Sequence, residues 1–399
     1  MSKRQQRCWA VIAGGGTAGH VNPGLAIAAE LIARGAEPRR LHWVGSRRGI
    51  EARLVHEAGL GLTLLPGRGI QRKLTPANAK AAAGLAGAFV AALALMRRLR
   101  PAVVIGLGGY ASVPCVGAAR VLRVPVVLLE ENAVAGLANR MAGRFAAASA
   151  VSFADTALPR STWTGNPVRP EVIEKLSRAA GRDEVAPGGR KRLAVVGGSL
   201  GSRRINEALF AALPAWRDRG DLSVHHICGA RDHPDLAQRI PISADDSLEF
   251  CLVEYEDDMA AVYAAADLVL CRAGAATSAE LAIAGVPSIL VPLPGAPDDH
   301  QSANARAMAD AGAALVVPDE DLDARRLIAE IDSLLDDPAR LRSMSEAATS
   351  LARPDAAAAV ADLVSRHARR PIAEAGLAED QVSDTPLGQA PAAEDHEQR

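Results

Sequence analysis

Aromatic residues are scarce in this chain, at 3% of 399 residues. A surface that binds single-stranded nucleic acid needs stacking rings, so the shortage argues against nucleic acid as a partner. Cysteine is also sparse. Cys8, Cys115, Cys228, Cys251 and Cys271 are odd in number and scattered, with no C-x-x-C pair. That excludes a disulfide framework or a zinc knuckle and predicts reduced, buried thiols in a cytosolic protein. The apolar stretch 81–96 (AAAGLAGAFVAALALM) falls short of the roughly 20 residues that span a bilayer. The basic start, Met1 to Arg7, leads into an apolar run broken at Gly14-Gly15-Gly16, too early for a signal peptide.

What is present is apolar mass without rings. Hydrophobic residues make up 49% of the chain. Packing by Ala, Leu, Val and Gly suits helices laid on buried parallel strands. The length predicts two domains rather than one core. The net charge of -1 conceals an asymmetry. Residues 1–170 hold 22 Lys/Arg and 7 Asp/Glu, a net +15, whereas the remainder holds 23 and 39, a net -16. A basic half beside an acidic half suggests one face made for an anionic surface.

The pattern along the chain is βα from the start. Residues 8–13 (CWAVIA) read as a buried strand, the glycine-rich run to His20 as a turn, and Pro23 to Arg34 as a helix. Further strands are predicted at 41–44, 62–65, 102–105, 125–129 and 148–152, with helices between them. Thr164 to Arg169 reads as a hinge, and Gly181 to Arg190 as a polar linker. A second βα start follows: strand 192–196, the turn Gly197-Gly198-Ser199-Leu200-Gly201, and a helix from about Arg203. Strands near 223–228, 248–252, 267–270 and 288–291 complete a second parallel sheet. The expected organisation is an N-terminal domain over 1–166, a hinge and linker over 167–190, and a second domain over 191–352. A terminal helix over 353–368 packs back on the first domain, and 369–399 form a disordered tail.

Two glycine-rich turns each join a strand to a helix. Glycine lets backbone N–H groups approach a phosphate, and the helix N-terminus adds positive dipole. Tight turns need glycine anyway, and the first turn does not give the full G-x-G-x-x-G dinucleotide fingerprint with its distant acid. A pair of such turns in similar halves points to a cleft between domains. His20 stands at the mouth of the first helix, either as a polar residue near a helix start or as an imidazole within reach of a reacting hydroxyl. Thr277 and Glu280 have the spacing of a capping box; the alternative is a carboxylate accepting both ribose hydroxyls of a nucleotide. Asp298 to Asn304 follow a strand and a Pro/Gly loop, where polar side chains would point into a crevice, and Gln301 suits sugar hydroxyls. No second ligand set accompanies His300 and its neighbouring aspartates, so no metal is expected. Residues 81–96 read as a buried helix. Yet Arg68, Arg72, Lys73 and Lys80 beside Ile70 and Leu74 are what a monotopic membrane contact would use.

Seven segments in order resemble one family: Gly14 to His20, Gly106 to Tyr110, Glu130 to Gly136, Gly165 to Arg169, Gly197 to Gly201, Asp257-Asp258-Met259, and Arg272 to Thr277 with Glu280. It is the MurG family, the bacterial UDP-N-acetylglucosamine:undecaprenyl-diphosphoryl-muramyl-pentapeptide N-acetylglucosamine transferases. The resemblance covers about residues 8–365. It implies the GT-B fold, two Rossmann-like doubly wound α/β domains facing across a cleft. The implied reaction is inverting and needs no cofactor and no metal. N-acetylglucosamine passes from UDP-N-acetylglucosamine to the C4 hydroxyl of the muramic acid sugar of lipid I, giving lipid II for peptidoglycan. The implied place is the cytoplasmic face of the bacterial membrane, peripherally bound to its anionic surface, within a possible cell-wall synthesis complex.

By position, the resemblance puts Arg169 and Ser199 on the donor diphosphate, Glu280 on the ribose and the backbone near Tyr255 and Glu256 on the uracil. Gln301 and Asn132 would contact the sugar. Thr17, Ala18 and Gly19 would line the donor, with Thr17, His20 and Tyr110 also facing the acceptor and His20 the first choice for the base. The sequence departs from the family pattern at Ala18, where a glycine is usual. It departs again where His-Glu-Gln-Asn becomes Leu129-Glu130-Glu131-Asn132, and where a Gln-Gln pair becomes His300-Gln301. The competing readings are a transferase of the same fold with another lipid or natural-product acceptor, a UDP-N-acetylglucosamine epimerase, and a non-catalytic membrane scaffold.

Overall fold

A computed structural model describes residues 8–15, 18–46, 51–65, 76–177, 189–198, 200–243 and 245–376. Two all-parallel sheets organise them. The first comprises β1 (Ala10–Ala13), β2 (Leu41–Ser46), β3 (Gly61–Leu65), β4 (Val103–Gly106), β5 (Val126–Glu130), β6 (Ala148–Val151) and β7 (Ser161–Trp163), in the order β3-β2-β1-β4-β5-β6-β7. The second comprises β8 (Lys191–Val196), β9 (Leu222–Ile227), β10 (Glu249–Val253), β11 (Leu268–Cys271), β12 (Ser288–Leu290) and β13 (Ala314–Val316), in the order β10-β9-β8-β11-β12-β13. Both sheets are doubly wound, as expected. The central strands are apolar runs such as VVIG, VVLL before Glu130, and LVLC, buried along their whole length. Helices cover both faces, so no alternation with polar residues is needed.

Each sheet reverses its winding once. In the first, the switch lies between β1 and β4; in the second, between β8 and β11. Crevices that bind ligands open at the carboxyl ends of strands at such points. Gly14 and Gly15 follow β1 and Gly108-Gly109 follow β4, while Gly197-Gly198 follow β8 and Ala273-Gly274 follow β11. Four of the seven segments of the resemblance therefore sit at switch points.

Several expectations are corrected. The first helix begins at Ala18, not Pro23, and carries Pro23 inside it; burial of Val21, Ala26, Ile27 and Leu31 offsets the missing backbone bond. Strands β7 and β13 are three residues each and were too short to register as periodic runs. Cys251 is exposed although the other four cysteines are buried. It lies on β10, an edge strand that alternates between outward and inward positions. The tail is not free from Arg369. The indole of Trp9 donates to the Arg370 carbonyl at 3.0 Å, and the Arg370 guanidinium returns to the Cys8 and Arg100 carbonyls. A short helix, Ala373–Gly376, follows; residues 377–399 lie outside the described residues.

The helix Ala356–His367 leaves the second domain's sequence and inserts Val360, Ala361, Leu363 and Val364 into the core of the first sheet, with Trp9, Ile12 and Val127. The chain thus crosses between the sheets twice, near Gly165 and near Arg353. Gly165 holds φ at +82°, and a Cβ there would stand 2.3 Å from Arg353 Cβ, so the two crossings touch. The guanidinium of Arg353 also stacks 3.6 Å over the ring of Trp163.

The apolar stretch lies within the helix Pro76–Leu99, which buries Ala88, Ala92, Leu95 and Met96 against the second face of the first sheet. Val90 points away and is 64% exposed. Among the described residues no helix is long and apolar enough to cross a membrane. The basic loop with Arg68, Arg72 and Lys73 lies outside the described residues.

Candidate active site

A cavity of about 630 Å³ lies between the two domains. From the first domain it takes Gly19 and His20, the turn Leu107–Gly109, and Glu130 to Asn132 at the end of β5. From the second it takes Gly274 to Thr277, Asp298 and His300. That size accommodates a small ligand with a few fixed polar groups.

His20 lies in the first turn of the helix Ala18–Ala33. Its ring fits because the adjacent turn is glycine: Gly109 has φ +71°, and a Cβ there would lie 3.3 Å from His20 Cδ2 and 3.5 Å from Nε2. On the other side, His20 Nδ1 stands 3.2 Å from Glu131 Oε2. Burial alone would lower the imidazole pKa. Here the carboxylates of Glu131, Glu130 and Glu51 outweigh it and hold the value above that of an ordinary histidine. Glu131, 4% exposed, is itself held above the usual carboxylate range by burial, an effect that His20 opposes.

Its neighbour Glu130 has a structural duty. One oxygen accepts from the Asn132 backbone N–H at 3.1 Å, and the other from the Gly136 N–H and the Asn139 amide at 3.0 and 2.9 Å. This clamps the 131–136 turn. Asn132 faces the second domain, where its Oδ1 accepts from the Asn304 amide at 3.2 Å. Asn304, fully buried, also accepts from Ala133 N–H at 2.8 Å and donates to the Ala273 carbonyl at 3.1 Å. One side chain therefore ties together both walls of the cavity.

Across the cavity, the helix Ala275–Ala284 begins at Gly274, with no side-chain cap. Its first N–H groups and dipole face the space, a ready anion site. The capping-box reading of Thr277 and Glu280 does not hold: Gly274 is the N-cap, and both residues lie inside the helix. Glu280 instead sits partly buried, with its carboxyl pushed up to about 7 by desolvation, while Arg169 pulls it down. Arg169 itself is half-exposed and pairs with Glu171 at 3.2 Å. Gln301 Oε1 accepts from the Leu293 N–H at 3.0 Å, and His300 Nδ1 lies 2.7 Å from the Pro297 carbonyl.

The structure brings Gly19, His20 and Asn132 to one cavity, whereas Arg169, Glu280 and Gln301 are not among its walls. Thr17 and Ser199 lie outside the described residues, as do the side chains of Ala18 and Tyr110. Three residues gain a part that sequence reasoning did not give them. Glu131 contacts His20, and Asn304 joins the domains. Arg272 spans β11 and the second glycine turn, donating to Ser202 Oγ at 2.6 Å and meeting Asp319 at 2.6 Å. Only their presence inside the quoted motifs hinted at them. Among the described residues no group of three or more His, Cys, Asp or Glu could hold a metal ion.

Comparison with known proteins agrees with this architecture. The glycosyltransferase family 28 N-terminal domain matches residues 10–151, and the family 28 C-terminal domain matches residues 192–360. A UDP-N-acetylglucosamine–N-acetylmuramyl-(pentapeptide) pyrophosphoryl-undecaprenol N-acetylglucosamine transferase of Stutzerimonas stutzeri is 43% identical over 357 residues, covering 88% of this chain and 97% of that protein. The protein of the same name from Desulforudis audaxviator is 37% identical over 364 residues, covering 89% and 97%. The crystal structure of Acinetobacter baumannii MurG superposes with a TM-score of 0.73 at 31% identity, over 90% of this chain and 99% of that one. Sheet order, glycine turns, interdomain cavity and these matches converge: the chain belongs to the MurG family of glycosyltransferases.

Proposed function

We propose that this chain transfers N-acetylglucosamine from UDP-N-acetylglucosamine to the C4 hydroxyl of the muramic acid sugar of lipid I, forming lipid II. The observation that carries the reading is the interdomain cavity itself. A histidine from one domain faces the uncapped N-terminus of a helix from the other, as a base and a leaving group on opposite sides of a sugar require.

In this reading the C4 oxygen attacks the anomeric carbon from the face opposite UDP. A new C–O bond forms, the bond from anomeric carbon to phosphate oxygen breaks, and UDP leaves with the electron pair. The hydroxyl proton passes to His20. The N–H groups at the start of the Ala275–Ala284 helix, with Arg169 and the 197–201 turn that includes Ser199, take up the charge on the departing diphosphate. Glu280 accepts the ribose hydroxyls, and Gln301 and Asn132 hold the sugar. Thr17, Ala18 and Gly19 contact the donor, and Tyr110 serves the acceptor side.

The net +15 of residues 1–170 supports docking of the first half on the anionic cytoplasmic face of the membrane, where lipid I would be presented. Sedimentation with vesicles containing phosphatidylglycerol should then weaken steeply with added salt. Binding to neutral vesicles alike would overturn the electrostatic reading.

The test of function is turnover of labelled UDP-N-acetylglucosamine with a short-chain lipid I analogue, chelator present, in wild type and Glu280→Ala. Metal-independent transfer that the substitution removes supports the reaction and the donor site together. Release of UDP without a glycosylated lipid would point to another acceptor, and donor binding without turnover would mark a scaffold.

A further inference from the structure

We propose that Glu131 is a positioning residue for His20, forming with it a buried carboxylate–imidazole pair that fixes the ring and sets its basicity. The proposal rests on the assignment of His20 as base above.

The geometry is one-sided. His20 Nδ1 is buried and faces Glu131 Oε2 at 3.2 Å, though not aligned as a full hydrogen bond. The turn at Gly108 and Gly109 closes on the ring from the side of Cε1, Cδ2 and Nε2. Nδ1 thus meets the carboxylate, Nε2 lies on the Gly109 side of the ring, and His20 is one of the residues that wall the cavity. A carboxylate on one ring nitrogen selects the tautomer and leaves the other free to accept a proton, and it stabilises the imidazolium that results.

Among the described residues, Glu131 makes no ion pair besides the one with His20. Among the described residues its second oxygen is buried with no hydrogen-bond partner, whereas the adjoining Glu130 accepts from backbone and amide donors. A buried carboxylate without a cationic or donor partner is costly, so the pair with His20 is what retains it. The other charged groups around the ring are Glu130 on β5 and Glu51 on the helix Glu51–Glu57; across the cavity stand Asp298 and His300. Of these, Glu131 exerts the largest charge effect on His20.

The test reads the ring directly. In the full-length protein with labelled histidine, NMR titration follows the His20 imidazole, assigned by its absence in His20→Asn. Glu131→Gln should lower the His20 midpoint by about one pH unit, and Glu131→Asp should restore most of it. The acidic limb of the kcat/KM profile should move down in step, with KM for UDP-N-acetylglucosamine changed less than about twofold. An unmoved His20 midpoint in folded Glu131→Gln would overturn the proposal, as would a moved midpoint with an unmoved rate profile in an enzyme that His20→Asn inactivates. If His20→Asn keeps full turnover, the base assignment fails instead, and the titration still reports whether the pair exists.

Discussion

At the residue scale, three carboxylates at and near the cavity differ in what surrounds them. Glu130 builds a turn, Glu131 faces the imidazole, and Glu280, partly buried in the second domain, is pushed up to about 7 by desolvation. The last value yields a pH prediction. A ribose hydroxyl donates best to an ionised carboxylate, so donor affinity should fall as pH drops through about 7. Isothermal titration with UDP between pH 5.5 and 8.5 should show that fall in wild type and a flat, weaker profile in Glu280→Gln. The stability effect has the opposite sense. Glu280 is raised in the folded state, so folded protein binds more protons between the unfolded carboxylate pKa and about 7, and stability declines as pH rises across that window. Glu280→Gln should therefore melt higher than wild type at pH 8, with the gap shrinking toward pH 5. A gap that widens on acidification would contradict the burial argument.

The sequence made one of these residues look like a loss. Glu131 stands where the family pattern has Gln, and read along the chain it breaks a motif. In space it opposes His20, more than a hundred residues earlier, and the departure becomes a charge pair. Thr277 and Glu280 erred the other way. Their spacing fits a cap, but the helix starts at Gly274 because the chain leaves β11 in extended conformation there. Spacing within a segment cannot say where the segment begins.

At the element scale, the turns between strand and helix are braced from elsewhere in the chain. Arg272 holds the turn after β8 through Ser202 while its charge meets Asp319, both mostly buried. Arg272→Leu should leave Asp319 only the more distant Arg204, at 3.8 Å, and cost about 1–3 kcal/mol in urea unfolding. If the turn after β8 holds the donor diphosphate as proposed, the substitution should also raise KM for UDP-N-acetylglucosamine more than it lowers kcat, since Arg272 braces Ser202 directly after that turn. Asn304 braces the opposite side. Asn304→Ala leaves the Ala133 N–H and Ala273 carbonyl without their partner, a loss of about 1–3 kcal/mol. Because those groups belong to different domains, kcat/KM should fall further than stability alone explains. An Asn304→Ala enzyme with wild-type kcat/KM would show that the two walls need no tie.

At the scale of the whole molecule, the terminal helix makes the fold one object. Leu363 and Val364 complete the core of the first sheet although the preceding 160 or so residues belong to the second. Leu363→Ala should cost about 2–5 kcal/mol and loosen the first domain before the second, seen as earlier hydrogen exchange in β4 and β5. Loss of protection confined to β8–β13 would refute that coupling.

Periodicity and composition determined the sheets. Continuous apolar strands, glycine turns and intervening helical stretches admit little besides parallel doubly wound layers, and eleven of the thirteen strands were legible as apolar runs. The short β7 and β13 were not, because three residues carry no period. The ordered motifs likewise determined the family. What only the tertiary structure decided is which side chains meet: His20 with Glu131, Asn132 with Asn304, Arg272 with Asp319, Trp9 with the backbone of Arg370. Each pair joins segments distant in the chain. Such contacts follow from how layers and domains pack, and local propensity holds no record of them.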